Sequence, residues 1–464
     1  MQHEGQVSGS RVFMGRGVGV MGWIGWAWWA CIVLLGAASP LVATSGTAQA
    51  LDVTDYDDEA KLAAALWAHA PEVIDARSAA ATAASDLHKA RTLPNPQLDF
   101  TWGTMPIGTT NPPNLHDPWS NVPNYTVGIS ELIELGKRGP RAAAAAAQLE
   151  QARAQALATL ATRFFALLDA IGDIAKNQAR AGVLNAQVHA GEDTLVLERA
   201  RAAKGETAAA DLERAELEHM RLVAGRDSAR SDLENARGAC AAIVAEPCPA
   251  FATARDARAY LRHAAASVAP RTWSPELERQ RPDIAALDAA LQAADEQATL
   301  ARRRAIPDVT VRAGYTYDTF EAAGNQRQSA ALGIQVPLPV FDHGQADLEA
   351  ATAVLAKARD TRAALVGSAR SALETAARQR ELVASRITQM GGALQTARSV
   401  RTSMEGAARQ GGASQLDVLL AQRAHQDLLL ARTDLDAEAF EAALKIREAA
   451  GDFPRPQPPG GTVP

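Results

Sequence analysis

The chain has 464 residues, a formal net charge of -6 and only 5% aromatic residues. There is no basic excess to neutralise phosphates, which excludes nucleic acid as the main partner. Abundant alanine and a slightly negative mean hydropathy suit long, closely packed helices, and exclude a β-rich globule and a multi-span helical membrane protein.

The N-terminus reads as a targeting segment. Arg11 and Arg16 precede an apolar stretch from Val18 to Ala38 that holds Trp23, Trp26, Trp28 and Trp29, and Ala48-Gln49-Ala50 is a small-residue cleavage pattern. Residues 1–50 are expected to be a signal peptide, with the mature chain starting near Leu51. The apolar run is also long enough for an uncleaved anchor. Cys31 is a poor lipidation site, because Trp28 and Trp29 stand where small or aliphatic residues are required. No later apolar run reaches membrane-helix length, so any crossing by the mature chain must use β-strands.

The mature chain is written twice, over residues 51–254 and 255–452. Pro71 followed by Leu93-Pro94-Asn95-Pro96 has its counterpart in Pro282 followed by Ala305-Ile306-Pro307, at an offset of 211. Val127-Gly128-Ile129 and Gly139 match Leu332-Gly333-Ile334 and Gly344 at an offset of 205, and Gly205 and Asp211 match Gly411 and Asp417 at 206. Shared alanine content explains similar composition, but not three sets of punctuation in one order. Each half is predicted to run helix, strand, strand, long helix, turn, long helix. The opening helices are expected over Asp57–Arg91 and over Arg255–Ala305, the latter broken near Pro270–Pro275.

The strands are predicted at 96–104 and 123–134, and at 307–319 and 328–338. Val309, Val311, Ala313, Tyr315 and Tyr317 alternate with Thr310, Arg312, Gly314 and Thr316, the period of two of a strand with one apolar face. Ala330, Leu332, Ile334 and Val336 repeat it, as do Leu98, Phe100 and Trp102, then Tyr125, Val127 and Ile129. Two hairpins half-buried in a soluble domain would satisfy this pattern; so would membrane strands, and aromatics at the strand ends, such as Trp102 and Tyr317, favour a bilayer interface. Four strands cannot close a membrane barrel, and open edges are forbidden in lipid. Membrane strands would therefore require several chains to share one barrel, and three copies would give about twelve strands.

From Pro140 to Ala203 there is no proline, and Leu157, Leu160, Phe164, Leu168, Ile171 and Ile174 mark one apolar face. The chain is expected to reverse near Gly205 and return through Asp211 to about Arg237, with Gly182 and Gly191 as candidate bends. The second copy pairs Gln345–Gln410 with Ala413–Ala450 around Gly411-Gly412. A soluble coiled-coil adaptor is the competing architecture, but it should carry many short strands, and this chain offers two hairpins.

Cys240 and Cys248 are eight positions apart beside Pro247 and Pro249. A disulfide closing a local turn is the expected reading in an oxidising compartment; a metal site is the sharper alternative, with no histidine pair nearby to support it. The other histidines are dispersed, and no Walker loop, HExxH or nucleophile elbow occurs. Gly17-Val18-Gly19-Val20-Met21-Gly22 falls in the leader without a preceding strand. No enzyme and no cofactor are expected.

Signal peptide, twofold repeat, two strands per repeat and paired long helices together resemble the TolC-type outer-membrane efflux proteins, over nearly all of the mature chain. Val127-Gly128-Ile129-Ser130 with Ile133-Glu134-Leu135-Gly136-Lys137-Arg138-Gly139 is similar to the strand-to-helix segment of the CzcC-like heavy-metal branch. Leu93-Pro94-Asn95-Pro96 and Arg281-Pro282-Asp283-Ile284 are also similar to family phrases. The resemblance implies a mainly α fold with a small β part: paired long helices forming an α-barrel tunnel, and four strands per chain in a shared transmembrane β-barrel. It further implies a homotrimer in outer-membrane lipid that conducts substrate passively, partnered by a periplasmic adaptor and an inner-membrane pump of the resistance–nodulation–division type.

The turn at Gly411 with Asp417-Val418-Leu419 resembles the family's periplasmic tip, where an aspartate ring narrows the pore. Asp417 matches that position and Asp211 is its counterpart. A helix-start carboxylate complementing the dipole fits Asp417 equally well. Gly205, Gly411 and Gly412 are expected at the tips that meet the adaptor. Leu420, Ala408 and Ala413 replace polar residues found there in familiar members. Residues 453–464 are expected to be a disordered tail.

Overall fold

The computed structural model describes residues 52–109, 115–319 and 326–455. The leader expected over residues 1–50 and the tail beyond Arg455 lie outside the described residues. In chain order, α1 (Glu59–His69) and α2 (Pro71–Arg91) lead into β1 (Gln97–Gly103). The single turn α3 (Pro118–Asn121) precedes β2 (Asn124–Ile133), and α4 (Arg138–Ala203) with α5 (Ala209–Val244) forms a long hairpin. Then α6 (Ala254–Ser267), α7 (Pro275–Gln280) and α8 (Pro282–Arg304) lead into β3 (Val309–Asp318) and β4 (Gln328–Gln335). A second long hairpin, α9 (Gln345–Arg409) and α10 (Gln415–Ala450), completes the fold.

The single helix expected over Asp57–Arg91 is two helices. Pro71 opens α2, and Ala70 before it is extended at φ -66°, ψ 122°, because a following proline disfavours helical geometry. Pro282 opens α8 in the same way after Arg281.

The helix α4 has 66 residues and α9 has 65, about 100 Å each at 1.5 Å per residue. Gly182 and Gly191 do not interrupt α4. A Cβ at Gly182 would stand 2.2 Å from the Ala254 Cβ, one at Gly191 would stand 3.1 Å from Leu222 Cδ1, and one at Gly172 would stand 2.3 Å from Phe440 Cε1. These glycines let α6, α5 and α10 close on α4. In α5 the buried side chains Ala215, Leu222, Ala229 and Ala236 recur every seven residues, the seam of a helical pair, before Cys240 and Val244 carry the helix into the core. Leu355, Ala369, Ala376 and Val383 form the matching stripe on α9.

The main core lies where α1, α4, α6 and α10 meet, around Leu62, Leu66, Phe164, Ile171, Leu261 and Phe440. Cys240 and Cys248 form a disulfide inside it, with Cα atoms 6.0 Å apart. The segment just after the loop they close is pinned: the Tyr56 hydroxyl donates to the Pro249 carbonyl at 2.7 Å, and the Phe251 amide donates to Gln178 Oε1 at 2.7 Å. The helix α5 runs seven residues past the expected Arg237 into this core, and ends at Ala245, a left-handed residue at φ 57°. Phe453, where a disordered tail is expected to begin, is docked with its ring centroid 6.4 Å from that of Phe164.

The four strands form one antiparallel sheet in the order β1-β2-β3-β4. Helix contacts run in the same order: α2 against α4, α4 against α8, α8 against α9.

Candidate functional site

The sheet register aligns the alternating residues of all four strands. Phe100 pairs with Val127, Val127 with Tyr315 and Tyr315 with Ala330; Leu98, Ile129, Ala313 and Leu332 form the next row. Paired residues share a face, so these side chains build one continuous apolar surface. No described helix covers it: Leu98 is 77% exposed and Leu332 88%. Trp102 and Tyr125 stack at the far end, centroids 6.4 Å apart. The opposite face is polar, with the Thr126 and Thr316 hydroxyls 2.9 Å apart and the Ser130 hydroxyl donating to Asp99 Oδ2 at 3.3 Å. Arg312 pairs with Ser130 on that face. The outer strands β1 and β4 each pair on one side only.

Below the sheet, a polar network ties strands to helices. Glu134 is ion-paired with Arg141. Lys137 Nζ lies 2.9 Å from Asp308 Oδ2, and the Leu135 amide donates to Asp308 Oδ1 at 3.2 Å. Arg138 and Arg141 donate to the Arg91 and Ala90 carbonyls at 3.0 Å, satisfying the open C-terminus of α2. Gly136 takes the turn at φ 71°. The charged residues of the Glu134–Gly139 segment are thus engaged in bracing the junction. Arg141 and Asp308 belong to no recognised phrase; only the fold brings Asp308 to Lys137, 171 residues away.

At the far end of the hairpins, Gly205 and Gly411 occupy left-handed turns at φ 74° and 78°. The Gly412 amide donates to the Ala407 carbonyl at 2.9 Å. Gly411, Gly412 and Asp417 share one turn; Gly205 and Asp211 share the other. Asp211 and Asp417 are both the third residue of a helix. Asp417 closes a capping box: its amide donates to Ser414 Oγ at 3.2 Å, and its carboxylate accepts from the Ser414 hydroxyl at 2.6 Å and amide at 3.1 Å. Those bonds hold the Asp417 carboxyl below the ordinary carboxylate range. Ser414 was not singled out in sequence, although Ser-x-x-Asp before an apolar helix is a capping signal. Ala208 offers Asp211 no such partner, and Asp211 Oδ1 instead accepts from Arg214 at 3.1 Å.

A cleft of about 60 Å³ between the two hairpins is lined by Gly191, His219, Arg401, Gln422 and His425. Burial, then Arg401 and Arg398, push the His425 imidazole below its ordinary value. Among the described residues, no cluster of three or more His, Cys, Asp or Glu could hold a metal ion. No described helix is long and apolar enough to cross a membrane.

Residues 273–452 match the model of the outer membrane efflux protein family. The cobalt-zinc-cadmium resistance protein CzcC of Cupriavidus metallidurans is 30% identical over 284 residues, 59% of this chain and 60% of that protein, so the match spans less than two thirds of the relative. A crystal structure of CusC, described as showing conformational changes on folding and transmembrane channel formation, superposes with a TM-score of 0.69 at 14% identity, over 85% of this chain and 92% of that one. The outer membrane protein VceC of Vibrio cholerae gives 0.67 at 20% identity, over 86% and 97%. At these identities the likeness to solved structures is one of fold.

Proposed function

We propose that this protein is the outer-membrane channel subunit of a tripartite efflux system; residues 273–452 match the model of the outer membrane efflux protein family, and the described chain has the TolC-like fold. Three copies close one β-barrel in the membrane, and their long helices extend it as a tunnel into the periplasm. The observation that carries the reading is the sheet: an apolar face left bare, a polar face behind it, and two open edges. The bare apolar face and the open edges are costly in a soluble monomer. Both costs are removed when copies join edge to edge, apolar side to lipid, with the polar side facing a water-filled lumen.

The conduit is passive. An inner-membrane pump supplies the energy, an adaptor meets the tips at Gly205, Gly411 and Gly412, and residues 1–50 are the export signal. The cargo is a heavy-metal cation, a reading supported by the match to CzcC, a protein named for cobalt, zinc and cadmium resistance. A conduit needs no tight metal site, since strong binding slows release. At the tip, three Asp417 carboxylates around one axis would concentrate negative potential and favour cations.

Single-channel conductance of the purified protein in a planar bilayer, alongside its mass in detergent, tests the reading. Discrete conductance steps from a trimer are expected; a soluble protein without conductance would return the chain to a coiled-coil adaptor. For the cargo, deletion of the coding sequence should sensitise cells to cobalt, zinc or cadmium; sensitisation to organic toxicants alone would assign the duct to them.

A further inference from the structure

We infer that Val336–Phe341 of one subunit is a docking element for the next copy of this chain, seated against the start of β1 and the Leu93–Pro96 connector that feeds it. The inference rests on the shared-barrel reading and names the residues at its joint.

The apolar alternation of β4 does not stop where its ladder stops. Val336, Leu338 and Val340 continue the spacing of Ala330, Leu332 and Ile334. The ladder, however, ends at Gln335, opposite Thr310. Beyond it Leu338 is 78% exposed, Val340 69% and Phe341 92%. Lipid is the wrong cover at this height. Three residues beyond Phe341 is Gly344, where an added Cβ would lie 3.5 Å from the Ala305 amide nitrogen. Three residues on from Ala305 is Asp308, ion-paired with Lys137. A belt of charges belongs outside hydrocarbon. Large apolar side chains level with that belt need protein against them, and one subunit provides none.

Topology names the cover. The strand order β1-β2-β3-β4 and the helix order α2, α4, α8, α9 run together. One flank therefore carries α2 and β1, and the other carries β4 and α9. Three antiparallel steps make β4 antiparallel to β1, so joining β4 of one copy to β1 of the next continues the alternation. Strands in a closed barrel are tilted and staggered. The sheet register sets Gln97 level with Ser130, Arg312 and Gly333, so the residues after Gln335 run past the level of Gln97, alongside the connector that feeds β1. There Leu98 and Leu93 are exposed, the latter by 60%. Pro337 and Pro339 on one side, and Pro94 and Pro96 on the other, stiffen both segments. Less chain freedom is lost when rigid segments meet.

Phe341→Cys, combined in turn with Leu93→Cys, Asn95→Cys and Leu98→Cys in the full-length protein, tests the joint. Cys240 and Cys248 are already bonded to each other. Purified protein is oxidised, run without reductant, and weighed in detergent. At least one pair should give covalent dimers and trimers that the single-cysteine variants lack. Trimers that yield no covalent species with any pair overturn the docking element and leave the shared barrel standing; a monomeric wild type overturns both. In parallel, Phe341→Ser should lower the temperature at which trimers dissociate, and an unchanged temperature counts against the contact.

Discussion

Gly182 of α4 lies so close to Ala254, the first residue of α6, that a methyl group added to Gly182 would stand 2.2 Å from the Ala254 Cβ. The two helices touch backbone to methyl, beside the disulfide-closed loop. Gly182→Ala should therefore destabilise the protein by about 1–3 kcal/mol, the range for overpacking. Ala254→Gly should restore most of the loss in the double variant. Thermal denaturation of all three proteins checks this; no rescue would mean that the clash relaxes elsewhere.

Arg141 tests the strand-to-helix junction. It is ion-paired with Glu134 and donates to the Ala90 and Thr92 carbonyls at 3.0 and 3.2 Å. Lysine keeps the charge but cannot reproduce a planar fork with several donors. Arg141→Lys should cost about 1.5–3 kcal/mol, the range for bonds to charged groups, and Arg141→Ala should cost at least as much. A lysine variant with wild-type melting would show that charge alone braces the junction.

The tip separates two roles for Asp417. Ser414→Ala removes the cap hydroxyl and should cost about 0.5–2 kcal/mol locally, while keeping the carboxylate and hence cation selectivity. Asp417→Asn removes the charge and should reduce cation selectivity in bilayer recordings. If selectivity survives Asp417→Asn, the carboxylate serves the helix end alone.

His425 gives the tip a pH dependence. It faces Arg398, Arg401 and Glu405 of α9, and shares its cleft with Glu218 and His219 of α5. Its folded-state value is depressed, so its contribution to stability is complete above the ordinary histidine value of about 6.5. That contribution is lost as pH falls from there towards the folded value. Hydrogen exchange within residues 415–430, corrected for intrinsic rates, should quicken as pH falls below about 6.5. His425→Gln should flatten the profile; an unchanged profile would assign the effect to other groups.

Much of the fold was legible because its determinants are local. Period-two alternation in Val309–Tyr317 is a property of neighbouring residues, and it implied a strand with one apolar face. Pro71 and Pro282 mark helix starts because proline restricts the residue before it, and for that reason Pro71 divides the single helix expected over Asp57–Arg91. Ser414-x-x-Asp417 is an equally local signal, a capping box at the start of α10.

By itself the sequence determined the fold class, the four strands with one apolar face each and the turns at Gly205 and Gly411, since period and punctuation lie within a few residues; that no described helix covers the apolar face was decided by the tertiary structure. Only tertiary structure decided what depends on residues far apart meeting. Asp308 reaches Lys137 across 171 positions, turning a family phrase into a brace. Gly172 and Gly182 serve close approach to Phe440 and Ala254. No sequence pattern marks such glycines, because the reason for each lies in the helix packed against it.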